Sequence, residues 1–251
     1  MKIVFTLSFL CFFILSQAQI VNVENLRHEP DSLGWSGFVS LKFELQKNNT
    51  SNIFNIENQS RVQYKRAKSL WFLINDLSFK KVNSTEITNN STQHLRYSHI
   101  LTPKVSLESF FQLQRDRISE IELRSLFGTG LRFNVLEQKK YKFYFGTTFM
   151  YEYEHAENDI EDIQHNLRSS NYLSFKVKPN LNWSVVSSNY YQPLYGNLSD
   201  YRLLSETSIL INLFKHLKLT TTFYYLYDAF PVINVRKEQY KLTHGLLYSF
   251  D

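Results

Sequence analysis

A histidine and a serine two residues apart on one strand would share a face, where the imidazole could activate the hydroxyl for attack on an ester. The seven histidines of this chain are followed two positions on by Pro30, Arg96, Leu101, Glu157, Leu167, Lys218 and Leu246, so no such pair occurs. Asp-x-Asp and Asp-x-His, which would put two acid–base groups on one face of a strand, are missing from the sequence as well. Gly128 and Gly130 have no third glycine after them and sit inside an alternating segment, so they do not read as a phosphate loop. The acidic stretch 155–165, HAENDIEDIQH, carries oxygen and imidazole donors but lacks the glycine turn of a calcium loop, and it reads as a solvated polar loop. The spacings therefore predict no catalytic residue, no metal site and no cofactor.

What remains is a set of charges at fixed parity. In 121–135 the odd positions are Ile121, Leu123, Ser125, Phe127, Thr129, Leu131, Phe133 and Val135; the even ones are Glu122, Arg124, Leu126, Gly128, Gly130, Arg132 and Asn134. A period of two puts these sets on opposite faces of a strand. The charged face recurs in segment after segment. A soluble sandwich would have to bury the other face of every strand in one core, whereas a closed barrel with lipid outside and water inside needs no such core.

Twelve strands are predicted, at 35–46, 53–65, 70–82, 91–100, 104–116, 120–135, 141–154, 166–177, 181–192, 200–213, 217–228 and 238–250. Most exceed the roughly 9 to 11 residues a tilted strand needs to cross a bilayer. The expected fold is an all-β, transmembrane, antiparallel up-and-down β-barrel of one domain, 35–251. Connections are expected to alternate in length. Those at 66–69, 101–103, 137–140, 178–180 and 214–216 are short, and those at 83–90, 155–165, 193–199 and 229–237 are long, as for a barrel with tight turns at one end.

This register assigns Glu122, Arg124, Gly128, Gly130, Arg132, Gly146, Arg168, Arg202 and Glu206 to the lumen, together with Glu108 and Glu152. It assigns Leu131, Phe133, Phe143, Phe145 and Phe149 to lipid. Trp35, Trp71, Tyr97, Tyr141, Trp183, Tyr201 and Tyr248 fall at strand ends with outward parity, as interfacial girdles do. The mixed lumen charges are compatible with an internal salt-bridge network that fills the bore or with a narrow aqueous path. Lumen glycines fit sheet bending or room for a long lumen side chain such as Arg124.

The start of the chain agrees. Lys2 precedes an apolar run, 3–15, and then Ser16-Gln17-Ala18, the layout of an export signal cleaved after Ala18. Thirteen residues are too few for a membrane-spanning helix, which takes roughly 20. A short periplasmic segment, 19–34, would follow. Cys11 lies in the signal, so the mature chain would carry no cysteine. Aromatic residues make up 16% of the chain and yet the mean hydropathy is −0.32, as expected where lipid-facing and water-facing residues alternate. The net charge of +5 is scattered and forms no basic block, which argues against a nucleic-acid partner.

The segments YSHILTPKVSLESFFQLQRD (97–116), LFGTGLRFNVLEQKKYKFYFGTTFMYEYE (126–154), SDYRLLSETSILINLFKHLKLTTTFYYLYD (199–228) and KLTHGLLYSF (241–250) carry a family likeness. Over about 93–250 the chain resembles the YdiY-like family of salt-induced outer-membrane proteins, barrels with no established biochemical function. The chain is poorer in glycine, with seven, and ends on Asp251 rather than on an aromatic residue. The resemblance implies residence in the bacterial outer membrane, lipids as neighbours, and the barrel-assembly machinery as partner during insertion, reading the terminal alternation from Tyr240 to Phe250. It implies a structural or envelope-stress role. The lumen charges keep a narrow channel for small polar solutes open as an alternative, with an outer-membrane lipid hydrolase third.

Overall fold

In the computed structural model the described residues are 33–47, 51–156, 163–214, 217–232 and 235–248. They form twelve strands: β1 (Gly34–Lys47), β2 (Asn52–Lys65), β3 (Ser69–Val82), β4 (Thr85–Thr102), β5 (Val105–Asp116), β6 (Ile121–Glu137), β7 (Tyr141–Ala156), β8 (Ile163–Val177), β9 (Trp183–Leu194), β10 (Asn197–Asn212), β11 (Leu217–Asp228) and β12 (Glu238–Tyr248). Each pairs antiparallel with the next, in sequence order throughout. The expected cleavage after Ala18 and the segment 19–32 lie outside the described residues.

The sheet is strongly curled. Tyr172 on β8 reaches Glu108 on β5, and Arg202 on β10 reaches Glu152 on β7, contacts that a flat sheet would place well over 10 Å apart at about 4.8 Å per strand. Among the described residues no ladder joins β1 to β12. The architecture is the up-and-down antiparallel β-barrel that the alternation implies.

The connections differ from the expected alternation. The sequence predicts a loop at 83–90, but β4 already starts at Thr85, leaving the two-residue turn Asn83–Ser84. Asn83 takes a positive φ of 54°, which asparagine tolerates, and its Oδ1 accepts the Asn52 N–H at 2.9 Å. The stretch 193–199 likewise contracts to Tyr195–Gly196, with Gly196 at φ 90°. Polar turn residues continue the ladder here because their backbone groups still need partners and adjacent strands supply them. Two of the four connections expected to be long are thus tight turns.

Parity is visible directly in burial. Along β7, Thr148, Met150, Glu152, Glu154 and Ala156 are buried, while Phe149 is 49% exposed between them. Phe145 is exposed; Leu131, Phe133 and Phe143 are half-buried, with Phe133 and Phe145 stacked across β6–β7 at 6.2 Å. Of the expected girdle residues, Trp35 (75%), Trp71, Tyr141 and Trp183 are exposed, and Tyr97 and Tyr201 are half-buried. Trp35–Tyr64 and Trp71–Tyr97 pair near the end carrying the β2–β3 turn, at 4.8 and 4.6 Å; Tyr191, Tyr201 and Tyr227 form a run near the other end. The Tyr248 side chain lies outside the described residues.

The middle of the outward face also carries a feature the pattern had hidden. Thr147 donates to Asn171 Oδ1 at 2.7 Å, Ser205 to Asn189 Oδ1 at 2.7 Å, and Ser187 and Thr207 share a bond of 2.8 Å. Asn171 and Asn189 then donate to Ser169 and Ser187. Small polar side chains on this face are satisfied by their neighbours in the sheet, which removes most of the cost of leaving them in apolar surroundings.

Candidate functional site: the charged interior

Strand pairing puts Arg124 beside Glu154, and Arg168 on β8 near Glu152 on β7; curvature then brings β10 and β11 to them. Arg124 Nε donates to Glu154 at 2.7 Å and lies 3.1 Å from Glu152. Arg168 binds Glu152 at 2.7 Å and Asp200 at 2.9 Å. Arg202 binds Glu152, Glu154 at 3.1 Å and Asp228 at 2.7 Å. Three guanidiniums and four carboxylates thus brace β6, β7, β8, β10 and β11, and Glu152, 0% exposed, touches all three arginines. At this burial a carboxylate must be compensated by charge and hydrogen bonds together, and the geometry supplies both.

A second cluster lies toward the other barrel end. Glu108 accepts from Ser98 at 2.9 Å and from the Tyr172 hydroxyl at 2.8 Å, with Arg96 at 3.4 Å and Arg132 at 3.9 Å. The Arg96 guanidinium also lies over the Phe110 ring and that of Arg132 over Tyr144, 5.5 and 4.0 Å from the centroids. Cation–π contact of this kind adds about 0.5 to 2 kcal/mol where solvent is excluded.

Between the clusters the wall is aromatic and amide-rich. Tyr172, Tyr190, Leu204, Tyr224 and Leu226 pack together, as do Phe110, Leu126 and Met150. The expected lumen glycines explain part of this. A Cβ on Gly128 would lie 2.4 Å from the Phe110 ring, and one on Gly146 would lie 2.0 Å from the Tyr172 ring; each ring lies across the glycine opposite it in the ladder. The space goes to aromatic rings and not to Arg124, because a flat ring covers the bare backbone closely while Arg124 is held by its carboxylates. At Gly130 the close neighbour is the β7 backbone, 2.0 Å from where a Cβ would be.

Two cavities of about 40 and 30 Å³ lie in this interior. Arg124 and Arg202 line both, so the ionic network stands between them. The larger is bounded by His94, Phe110, Gln112, Met150 and Tyr172; the smaller lies beneath the β11–β12 connection at Pro231, Val232 and Val235.

Arg124, Arg132, Arg168 and Arg202 are buried in the interior, and Glu206 is half-buried on the same face. Glu122 is not in the lumen. The ladder slips between Ile121 and Leu123, so Ile121 turns inward and is buried while the Glu122 side chain, 50% exposed, pairs with His155 at 3.3 Å. One extra residue at a bulge reverses facing for all that precede it. Glu154, Asp200, Asp228 and His94 were missed by sequence reasoning. Glu154 and Asp228 share the even parity of Glu152 and Arg202, a signal that was there to use; the pairing across the bore has no local signature.

The model of a family described as a protein of unknown function, DUF481, matches residues 38–250. The chain belongs to that family. Among curated proteins none matches this DUF481 member. Among solved structures it is similar to the NanC porin, with a TM-score of 0.50 at 10% identity, covering 86% of this chain and 98% of that one. A weaker likeness, TM-score 0.40 at 12% identity over 86% of this chain and 72% of the other, is to the outer membrane channel DcaP of Acinetobacter baumannii. At 10% identity the property shared with the first of these is the fold, an antiparallel β-barrel.

Proposed function

We propose that this DUF481 chain is an integral β-barrel of the bacterial outer membrane whose bore is closed by its own side chains, with a structural or envelope-stress role and no enzymatic one. The observation that carries this is the network around Glu152, which ties five strands together across the interior. Twelve-stranded barrels lie between those filled by side chains and those that keep a channel, and seven paired charges favour the filled case. The aromatic clusters at both strand ends act as interfacial girdles, and the exposed Phe145 and Phe149 meet lipid. Lipids are then the constant partner, and the barrel-assembly machinery the partner during insertion. The resemblance to YdiY-like salt-induced barrels supports the stress role.

The second reading is a narrow path for small polar solutes or ions, favoured by the two cavities that flank the network. Single-channel recording of refolded protein separates the two. A closed bore gives no regular current steps, and steps of uniform size would overturn the first reading. Cell fractionation checks the location: the mature protein should be found in the outer membrane starting at Gln19, and a soluble periplasmic product would refute it.

A further inference from the structure

Cations that are scattered along the sequence gather at one end of the fold. Strand order puts the connections after β2, β4, β6, β8 and β10 at the end shared by Gly34 and Tyr248. The described residues of these connections include Arg66, Lys68, Lys104, Lys139, Lys140 and Lys178, all exposed, and no carboxylate. Glu137, beside the β6–β7 connection, is held by Lys142 at 3.1 Å. At the opposite end the connections carry Arg117, Arg236 and Lys237 against Glu120, and the segment 157–162, ENDIED, adds four carboxylates. The barrel is therefore electrically polar along its axis, with a rim of one sign at the end that holds both termini.

The depth of this rim points to its partner. Arg66 is two residues past Tyr64, which packs on the exposed Trp35; Lys68 is three residues before the exposed Trp71, and Lys140 is next to the exposed Tyr141. At about 3.3 Å per residue these cations start about 3 to 10 Å beyond the aromatic girdle. Trp and Tyr girdles mark the headgroup level, and the headgroup layer is roughly 5 to 8 Å thick on each side of the hydrocarbon. Long basic side chains keep their charge in that layer while their stems lie along apolar surface. Tight turns fix the positions: Arg66 N–H donates to Ser69 O and Gln138 N–H to Tyr141 O, each at 2.8 Å. The cation-bearing turns are two strands apart, one about every 10 Å around the rim, so each meets separate headgroups.

We propose that this basic rim docks the headgroup phosphates of anionic phospholipids, such as phosphatidylglycerol, in the leaflet facing the periplasm. The inference rests on the outer-membrane reading, in which the two longest connections, 157–162 and 229–237, face outward and the rim of shorter turns faces inward. It is independent of whether the bore conducts. Like charges held together raise the local concentration of counter-ions, and a Lys or Arg near an anionic surface contributes a factor of about five in affinity.

The test uses the mature chain refolded into phosphatidylcholine vesicles with a trace of spin-labelled phosphatidylglycerol or spin-labelled phosphatidylcholine. The motionally restricted fraction of each label gives its affinity for the barrel. At 0.01 M salt phosphatidylglycerol should be preferred by about fivefold, and at 1 M, where the Debye length falls from about 30 to about 3 Å, the preference should vanish. Replacing Lys68, Lys104, Lys139, Lys140 and Lys178 together by Gln should bring the ratio close to one. Replacing Arg117, Arg236 and Lys237 by Gln should leave it unchanged. Equal affinities in the unaltered protein overturn the proposal, as does a preference that survives the five-lysine variant or is lost in the other one. Lipid A that displaces the labelled phosphatidylglycerol at a lower mole fraction than unlabelled phosphatidylglycerol overturns it too, by assigning the rim to the other leaflet. Should the five-lysine variant fail to fold, the salt dependence in the unaltered protein decides. A chain that does not float with the vesicles fails the outer-membrane reading as well, whereas one that floats and ignores headgroup charge fails this inference alone.

Discussion

The inward and outward faces of the same strands hold polar side chains together in different ways. Inside, Arg202 spans from β10 to Glu152 on β7, and Tyr172 spans from β8 to Glu108 on β5. Outside, Thr147 bonds to Asn171 on the neighbouring strand, Ser205 to Asn189, and Ser109 to Thr129. Curvature is the cause. On the concave face side chains converge, so long ones meet partners several strands away; on the convex face they diverge, and these short polar ones bond to the adjacent strand. A loss on the inside therefore disturbs many strands, and a loss on the outside disturbs one ladder.

The largest effect should follow Glu152→Gln, which leaves three buried arginines short of their shared carboxylate. Breaking such a buried pair costs about 3 to 5 kcal/mol, readable as a shifted urea midpoint for folding into lipid vesicles. A cost below about 1 kcal/mol would mean the arginines re-pair freely and the bracing is not real.

On the outer face, Leu131→Arg should cost about 2 to 4 kcal/mol if the site lies at the bilayer midplane, measured in the same titration. This is a cost of solvent and not of lost partners. It should shrink when the detergent-folded protein is unfolded instead, whereas the cost of Glu152→Gln should persist.

Gly146→Ala sharpens the inner half of the comparison. The added methyl displaces the Tyr172 ring and with it the hydroxyl bond to Glu108, for about 1 to 3 kcal/mol of overpacking. Tyr172→Phe in the same background should then cost little more, because the bond it removes is already gone.

The smallest effect belongs to Thr147→Val, which keeps the shape and deletes one outward hydroxyl. Asn171 still bonds to Ser169, so the loss should stay at or under about 1 kcal/mol. A value rivalling Glu152→Gln would break the contrast between the two faces.

Much of this was legible in the chain. The number of strands, their antiparallel order and the burial of Arg124, Arg132, Arg168 and Arg202 follow from alternation, which is a local property: once a residue is in a strand, its neighbours' facing is set by covalent geometry. The site was legible only in part. Glu152 and Glu108 could be placed inside, but nothing near them in sequence names Arg202 or Tyr172 as partner.

Alternation along each segment thus determined by itself that this is a meander with one charged and one apolar face. The tertiary structure decided three other things. It set the bulge at Ile121–Leu123 that turns Glu122 outward, the rings that take the space over Gly128 and Gly146, and the bracing of the interior by charges from five strands. All three depend on how far the sheet curls and how the ladders slip against one another. Those are sums over many strand pairs, and a period of two within a single strand carries no record of them.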